Sequence, residues 1–478
     1  MQMIIDGKFV DASDKTTIEI VCPYTEKVID TVPNATEKDV DKCVKVAQKA
    51  QKNWAEVSIY KKADILKTFL NLVDANKDDL AKTLCREMGK PITQAYAEIA
   101  NVRIGFEAFI EKAKHLYGNV IPRGTEAGQD ATLQLTVREP LGVIACIIPF
   151  NFPCDLFDQK VAPALLAGNT VIVKPPHQNP LTLIKLSNLM HKAGLPKGVL
   201  QVITGEGAKS GEFLAKHPGV NGITFTGSTK VGQITYNNGA SHMAHVALEL
   251  GGNDVFIVLE DADINLAVEE MIWGRMYNTG QVCCASKRFL VQNSVLKEFV
   301  TKAKKRMDKL VMGNPENKKT DIGCLVTEQA AIKAEMQIKN VLKQGGKLVT
   351  GGKRKGAFIE PTLITDIPAS ADVATDDEIF APVVSVIPFK TEKEAIQIAN
   401  ASKFGLSGCV FTKDINKAFN IVSKLECGGT VINGASFHRS FEMPFGGYKS
   451  SGLGTEGVMS TFDEVTKIKT ITLKNIYK

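Results

Sequence analysis

The chain has 478 residues, 44% hydrophobic and 23% charged, with a formal charge of +6. That length exceeds one ordinary hydrophobic core, so two or three domains are expected. The positive charge is spread along the chain: no basic block interleaved with aromatics points to nucleic acid, and no apolar run approaches the ~20 residues of a membrane span. Ten cysteines are scattered without Cys-x-x-Cys or His-x-x-x-His spacing, so no metal centre is expected. The stretch "MQMIIDGKFVDAS" has no basic region followed by a long apolar segment, which argues against a secretory signal. Free thiols and no signal together predict a cytoplasmic protein.

The first ~115 residues read as an initial strand pair followed by polar-amphipathic helices. From about residue 141 to 260, "LGVIACIIP", "NTVIVKP", "VLQVITG", "GITFTG" and "DVFIVL" are Val- and Ile-rich runs bounded by Gly or Pro. Helical patterns lie between them, clearest in "NPLTLIKLSNLMHKAGL", where Asn179 is a candidate cap, Pro180 the first helical residue and Gly194 the stop. Strands alternating with helices predict an α/β fold with a doubly wound parallel sheet. A second α/β region runs from "EEMIWGRMYNTGQVCC" through "GGTVINGAS". The C-terminal "TKIKTITLKNIYK" alternates Lys with apolar residues, as a strand with one wet face would.

Several short stretches carry chemistry. "ITFTGSTKVGQ" sets Gly227, Ser228 and Thr229 after a strand and at a helix start, where backbone N–H groups favour an anion. It is neither a P-loop nor a G-x-G-x-x-G, and a tight capped turn reads equally well. Lys174 ends the strand of "VIVKPP", on the sheet edge where ligands bind in doubly wound folds; a solvated surface charge is the alternative. "GQVCCASKRF" holds adjacent Cys283 and Cys284, too close for an ordinary structural disulfide. A nucleophilic thiol needs a base and an oxyanion donor. "LELGGND" offers Glu249 among apolar residues, either a desolvated general base or a structural strand-end Glu. "IIPFNFP" offers Asn151 in a Pro-bounded turn, either an oxyanion donor or a helix cap.

Taken together, "PFNFP", "FTGSTKVG", "LELGG", "GQVC", "EIFAPV" and "PFGGYKSSGLG" resemble, in order and spacing, the aldehyde dehydrogenase superfamily, over essentially the whole chain. The resemblance implies that Cys283 is the nucleophile, Glu249 the base, and Asn151 the oxyanion donor together with the Cys283 backbone N–H. It implies an NAD or NADP site in which Lys174 binds the adenosine ribose, Gly227 and Ser228 the pyrophosphate, and Glu378 the nicotinamide ribose beside Phe380. Ile148, Phe150, Pro176, His177, Gly207 and Leu250 complete that site, and Phe152, Arg439 and Phe445 meet the aldehyde. The implied division is a discontinuous cofactor domain (1–118 and 141–252), a catalytic domain (253–447) and a small β oligomerisation arm (119–140 and 460–478). A homodimer or homotetramer follows from that arm.

Three residues depart from the family pattern. Phe150 stands where Trp is usual. His177 stands where many NAD-preferring members carry Glu, and Lys230 where an acid is common, so NADP is favoured over NAD. The resemblance implies that the segment between Asn433 and Phe445, with "GASFHRSFEM", lies at the mouth of an aldehyde tunnel, where Arg439 and His438 would meet the substrate's far end. A guanidinium there suits a hydroxylated or anionic tail, as in lactaldehyde or succinate semialdehyde. The bland reading pairs Arg439 with Glu442. Other readings are a CoA-acylating semialdehyde dehydrogenase, disfavoured by Glu249, a cysteine acyl-hydrolase with no evident histidine base, and a non-catalytic binding protein on the same fold.

Overall fold

The computed structural model describes residues 1–476. Its first sheet has five parallel strands in the order Leu200–Val202, Thr170–Lys174, Val143–Ile147, Gly222–Thr226 and His245–Glu249. The order reverses between Val143–Ile147 and Gly222–Thr226, the switch point where doubly wound sheets open a crevice. Antiparallel strands close both edges: Met3–Ile5 with its hairpin partner Lys8–Val10, and Gly452–Leu453. Strand alternation explains the layers. Ile144 and Cys146 pack with Val102, Phe106, Phe157 and Val161 from helices Ile92–Ala113 and Pro153–Leu166. Val143 and Ala145 pack on the opposite face with Val40, Val44 and Ala47 of helix Glu37–Ala55. Both faces are therefore covered, as an all-apolar strand requires.

The second sheet has six parallel strands in the order Thr362–Thr365, Val383–Phe389, Ser286–Gln292, Asp254–Val258, Ser407–Phe411 and Gly429–Ile432, with Lys347–Thr350 antiparallel at one edge. Its alternation is equally clean. Val255 and Ile257 face the side of helices Glu328–Lys343 and Glu392–Asn400, while Phe256 and Val258 face helices Ile264–Met276 and Leu296–Met307. Phe256 stacks 4.4 Å from Phe411 and lies 4.9 Å from Phe289. Truncating it to Ala would cost about 3–5 kcal/mol. A third sheet joins Val120–Ile121, Leu133–Pro140 and Thr466–Leu473 in antiparallel register. Among the described residues, no helix is long and apolar enough to cross a membrane.

Three sequence expectations need correction. The N-terminal region contains two hairpins, not one strand pair, because Thr17–Val21 and Val28–Pro33 form their own ribbon. Asn179 does not cap its helix; its amide donates to the Phe150 carbonyl, at 2.9 Å. The helix runs Leu181–Lys192, and the carboxylate of Glu87 takes the N–H groups of Leu181 and Thr182 instead. Gly194, with φ of +96°, does stop it. Finally, the C-terminal strand has no dry face in this single chain: Lys467–Leu473 is exposed throughout, with Ile468 64% exposed. The last two residues of that stretch lie outside the described residues.

Candidate active site

Glu249 closes the last parallel strand of the first sheet, and Asp254, a short link later, opens a central strand of the second. The C-terminal edge of one sheet thus meets the N-terminal edge of the other. Cys283, just ahead of strand Ser286–Gln292, stands at that junction. A side chain added at Gly252 would come within 3.0 Å of the Cys283 carbonyl, so the two segments touch.

The turn carrying Cys283 has an unusual backbone. Asn278, Thr279 and Gly280 all have positive φ, at 52°, 56° and 76°. A Cβ on Gly280 would meet the Ala381 carbonyl at 2.4 Å, so only glycine fits. Side chains hold the two strained non-glycine residues. The Asn278 N–H donates to Gln94 Oε1, and its amide donates to the Asn151 and Gln281 carbonyls. Thr279 Oγ1 accepts from Gly323 N–H. Buried Arg275 donates to the carbonyls of Gly280, Ile379 and Val383, tying the turn to the segment that carries Glu378 and Phe380.

Burial, followed by the nearby Cys283, raises the Glu249 carboxyl well above its usual range, and among the described residues its oxygens meet no donor other than the Cys283 thiol. A structural salt bridge is therefore ruled out for Glu249. The Cys283 thiol is raised in turn, by its hydrogen bond with Cys284 and by burial, while Lys287 pulls it down. Cys284 is buried, and its carbonyl accepts from Ser436. Asn151 is also buried, and its carbonyl accepts from Lys90 Nζ and Asn278 Nδ2, both at 2.9 Å. The helix that follows starts from Phe152 with no side-chain cap, so Asn151 is not its cap.

From Phe152 an aromatic series runs outward. Phe152 stacks on Tyr277 at 6.1 Å, Tyr277 lies 5.3 Å from Phe437, and Phe437 lies 4.9 Å from Trp273. Trp273 and His438 line an outer cavity of about 390 Å³. Phe445 and Phe152 both pack in the cluster that includes Cys283. Arg439 does not pair with Glu442. Its guanidinium lies 4.0 Å over the Phe445 ring, donates to Gln159 Oε1 at 3.3 Å, and faces Glu456 at 3.7 Å, leaving Nε buried without a partner.

The crevice at the first sheet's C-terminal edge gathers the remaining candidates. Ile148 donates its N–H to the Lys174 carbonyl, and Pro176 is buried beside it. Lys174 is buried, with Nζ donating to the Pro175 and Gly205 carbonyls, and burial lowers its pKa to about 8. His177 is exposed at the rim, its pKa lowered by partial burial and by Lys174 against the pull of Glu206, so it is neutral at pH 7. Gly207 is exposed and opens the turn Gly207–Gly211 next to that Glu206, with Ser210 and Gly211 buried at its end. Gly227 is corrected as an anion donor: its N–H is already bonded to the Glu249 carbonyl, at 3.1 Å. It must be glycine because the Phe225 ring would lie 2.6 Å from a Cβ. The remaining anion-site candidates are Ser228 and the first turn of helix Thr229–Ala240, where the Ser228 hydroxyl accepts from Val231 N–H and the N–H groups of Thr229 and Lys230 have no intrahelical acceptor. Leu250 packs under that helix at Gly232.

Glu378 accepts from Gly252 N–H and pairs with Lys287 at 3.2 Å. Any side chain on Gly251 would lie 2.6 Å from its carboxylate. Phe380 meets Phe150 edge-to-face at 6.0 Å, with Lys287 above its ring. Lys90, Asn278, Lys287, Arg275 and Glu456 escaped sequence reasoning. Only the turn-like "NTGQ" carried a signal for any of them; the others act through contacts distant in sequence.

Comparison with known proteins agrees along the full length. The profile of the aldehyde dehydrogenase family matches residues 9–471. The lactaldehyde dehydrogenase of Methanococcus vannielii is 35% identical over 99% of this chain and 100% of its own. The glutarate-semialdehyde dehydrogenase of Pseudomonas aeruginosa is 36% identical over 99% of this chain and 98% of its own. The crystal structure of an NADP-dependent enzyme from E. coli superposes with a TM-score of 0.96 at 35% identity, covering 99% of this chain and 98% of that one. A thiol, a buried carboxyl and a crevice at the switch point, set in this order in this fold, make the chain a member of the aldehyde dehydrogenase family.

Proposed function

We propose that this aldehyde dehydrogenase oxidises a short aldehyde with a hydroxyl or anionic tail, such as lactaldehyde or succinate semialdehyde, to its carboxylic acid without coenzyme A. The observation that carries the reading is the pairing of Cys283 with a buried carboxyl that has no other hydrogen-bond donor among the described residues, Glu249. Ionised Glu249 takes the thiol proton, and the sulfur attacks the aldehyde carbon. The side-chain amide of Asn151 donates to the oxyanion of the thiohemiacetal. When bound, NAD or NADP supplies the hydride acceptor. Glu249 passes that first proton to solvent and then takes one from the water that attacks the thioester; the thiolate is expelled, the acid leaves, and Glu249 returns its proton to Cys283.

The residues fit a dinucleotide. The N–H groups of Thr229 and Lys230 after Ser228, the buried ammonium of Lys174 and the Glu378 carboxylate all stand at the C-terminal edge of the first sheet. NADP is the favoured form, since no acid stands at position 177 to repel a 2′-phosphate and Lys174 lies beside it. The exposed apolar residues of the C-terminal strand, Ile468, Ile471 and Leu473, favour a homodimer or homotetramer that covers them. The tail preference is supported by Arg439, whose buried Nε lacks a partner beside Phe445.

The test follows formation of reduced nicotinamide with lactaldehyde, succinate semialdehyde, hexanal and benzaldehyde, with and without coenzyme A, in wild type and Arg439→Ala. Higher kcat/KM for the polar aldehydes, no acyl-CoA product, and a loss in the variant confined to polar tails are expected. A desolvated charge contact is worth roughly 2–5 kcal/mol. Rapid acyl-CoA formation, or equal small effects on every aldehyde, would overturn the reading.

A further inference from the structure

Helix Pro153–Leu166 begins two residues after Asn151 and is buried at every position but one. Asp155 is the one half-buried position of this helix, and its neighbours identify the side on which it opens. Tyr277, from the aromatic series, and Arg439 both interact electrostatically with its carboxyl. One helical turn further on, Gln159 accepts from Arg439. Asp155, Gln159 and Arg439 therefore make a polar stripe beside the aromatic groups Phe152, Tyr277, Phe437 and Phe445.

The hydrogen-bonding capacity of Asp155 is unmet. Its Oδ1 is buried without a partner, and Oδ2 reaches Asn101 Nδ2 only at 3.5 Å, the outer limit of a hydrogen bond. Burial and then Glu98 push the carboxyl up to about 8, against Lys90, Asn101 and Arg439. The neutral acid present at pH 7 offers one O–H donor and remaining acceptor capacity, which complements an alcohol rather than an anion. An alkyl chain would leave both unmet.

We propose that Asp155 is a specificity-determining residue that exchanges hydrogen bonds with a hydroxyl group on the substrate's carbon chain, between the carbon attacked by Cys283 and the tail met by Arg439. This rests on the polar-tail reading above, and two ratios separate the failure of one from the failure of the other.

The experiment measures kcat/KM for 2-hydroxypropanal and for propanal in wild type, Asp155→Leu and Asp155→Asn. Wild type should favour 2-hydroxypropanal at least about tenfold, because a site built to bind a hydroxyl discriminates against the analogue lacking it. Asp155→Leu should shrink that ratio at least about tenfold. Asp155→Asn, whose amide still donates and accepts, should retain more of it than Leu does. Propanal turnover reports whether each variant folds. A wild-type ratio near one would overturn the hydroxy-aldehyde reading and this proposal with it. A wild-type preference that survives in Asp155→Leu, or a preference lost to the same extent in Asp155→Asn, would overturn the role of Asp155 alone.

Discussion

Asn278 donates its side-chain amide to the backbone carbonyl of Asn151, at 2.9 Å. This bond joins the turn that carries Cys283 to the segment that carries the proposed oxyanion donor, Asn151. Asn278 also sits at φ of 52°, which glycine tolerates. Asn278→Gly therefore removes the amide without adding backbone strain. Two buried hydrogen bonds, to the Asn151 and Gln281 carbonyls, are lost at about 0.5–1.5 kcal/mol each, while Lys90 still serves the Asn151 carbonyl. The variant should lose roughly 10- to 100-fold in kcat with little change in KM, as steady-state kinetics would reveal; a pure rise in KM would contradict this positioning role.

Between the adjacent thiols, Cys283→Ala should abolish oxidation while Cys284→Ala retains most of it. Cys283 touches the Gly252 segment and interacts with Glu249, whereas Cys284 packs inward with its carbonyl held by Ser436. Removing Cys284 also removes the hydrogen bond that raises the Cys283 thiol. In that variant, alkylation of Cys283 by iodoacetamide should speed up at pH 7. A dead Cys284→Ala enzyme beside an active Cys283→Ala enzyme would reverse the assignment.

The raised carboxyl of Glu249 sets a pH dependence. A raised pKa means that the base form is scarce at low pH and fills as pH climbs, so thioester hydrolysis should accelerate toward alkaline pH. Glu249→Gln should give a burst of reduced nicotinamide followed by slow turnover, and its slow phase should lose the wild-type pH profile. Stopped-flow absorbance at several pH values checks both. An unchanged slow phase would mean that another group activates the water.

For the cofactor, His177→Glu should weaken NADP at least about tenfold while NAD binds as well or better. The substitution brings a carboxylate to the crevice rim where a neutral imidazole now stands. Dissociation constants for both dinucleotides, measured side by side, decide it. A strong NAD preference already present in wild type and unaltered in the variant would refute the argument.

Much of the architecture was legible because it depends on local periodicity. Strands such as Val143–Ile147 are apolar on both faces and bounded by Gly or Pro, and they became parallel strands covered on both sides. Asn151, Glu249 and Cys283 were legible by residue type and motif order, and the fold gathers them at one junction. What failed was long-range partnering. The Asn179 cap lost to Glu87, a residue on another helix that brings a full carboxylate to two N–H groups. Gly227 looked like an anion donor until the neighbouring strand claimed its N–H. Arg439 had an acid three residues away in the chain, yet Glu456 lies closer to its guanidinium in the fold. Asp155 was unreadable, since an acid in an apolar helix carries no pattern of its own.

The hydrogen bonds of Arg275 run to three carbonyl dipoles rather than to carboxylates, and the group is buried. Mobile ions screen exposed pairs such as Lys45–Asp41 or Lys302–Glu298, but they have no access to this guanidinium. The thiol-bearing turn is thus fastened by a contact that ionic strength does not loosen. Brine that strips charge–charge attraction from the protein's periphery should leave the reacting centre in register.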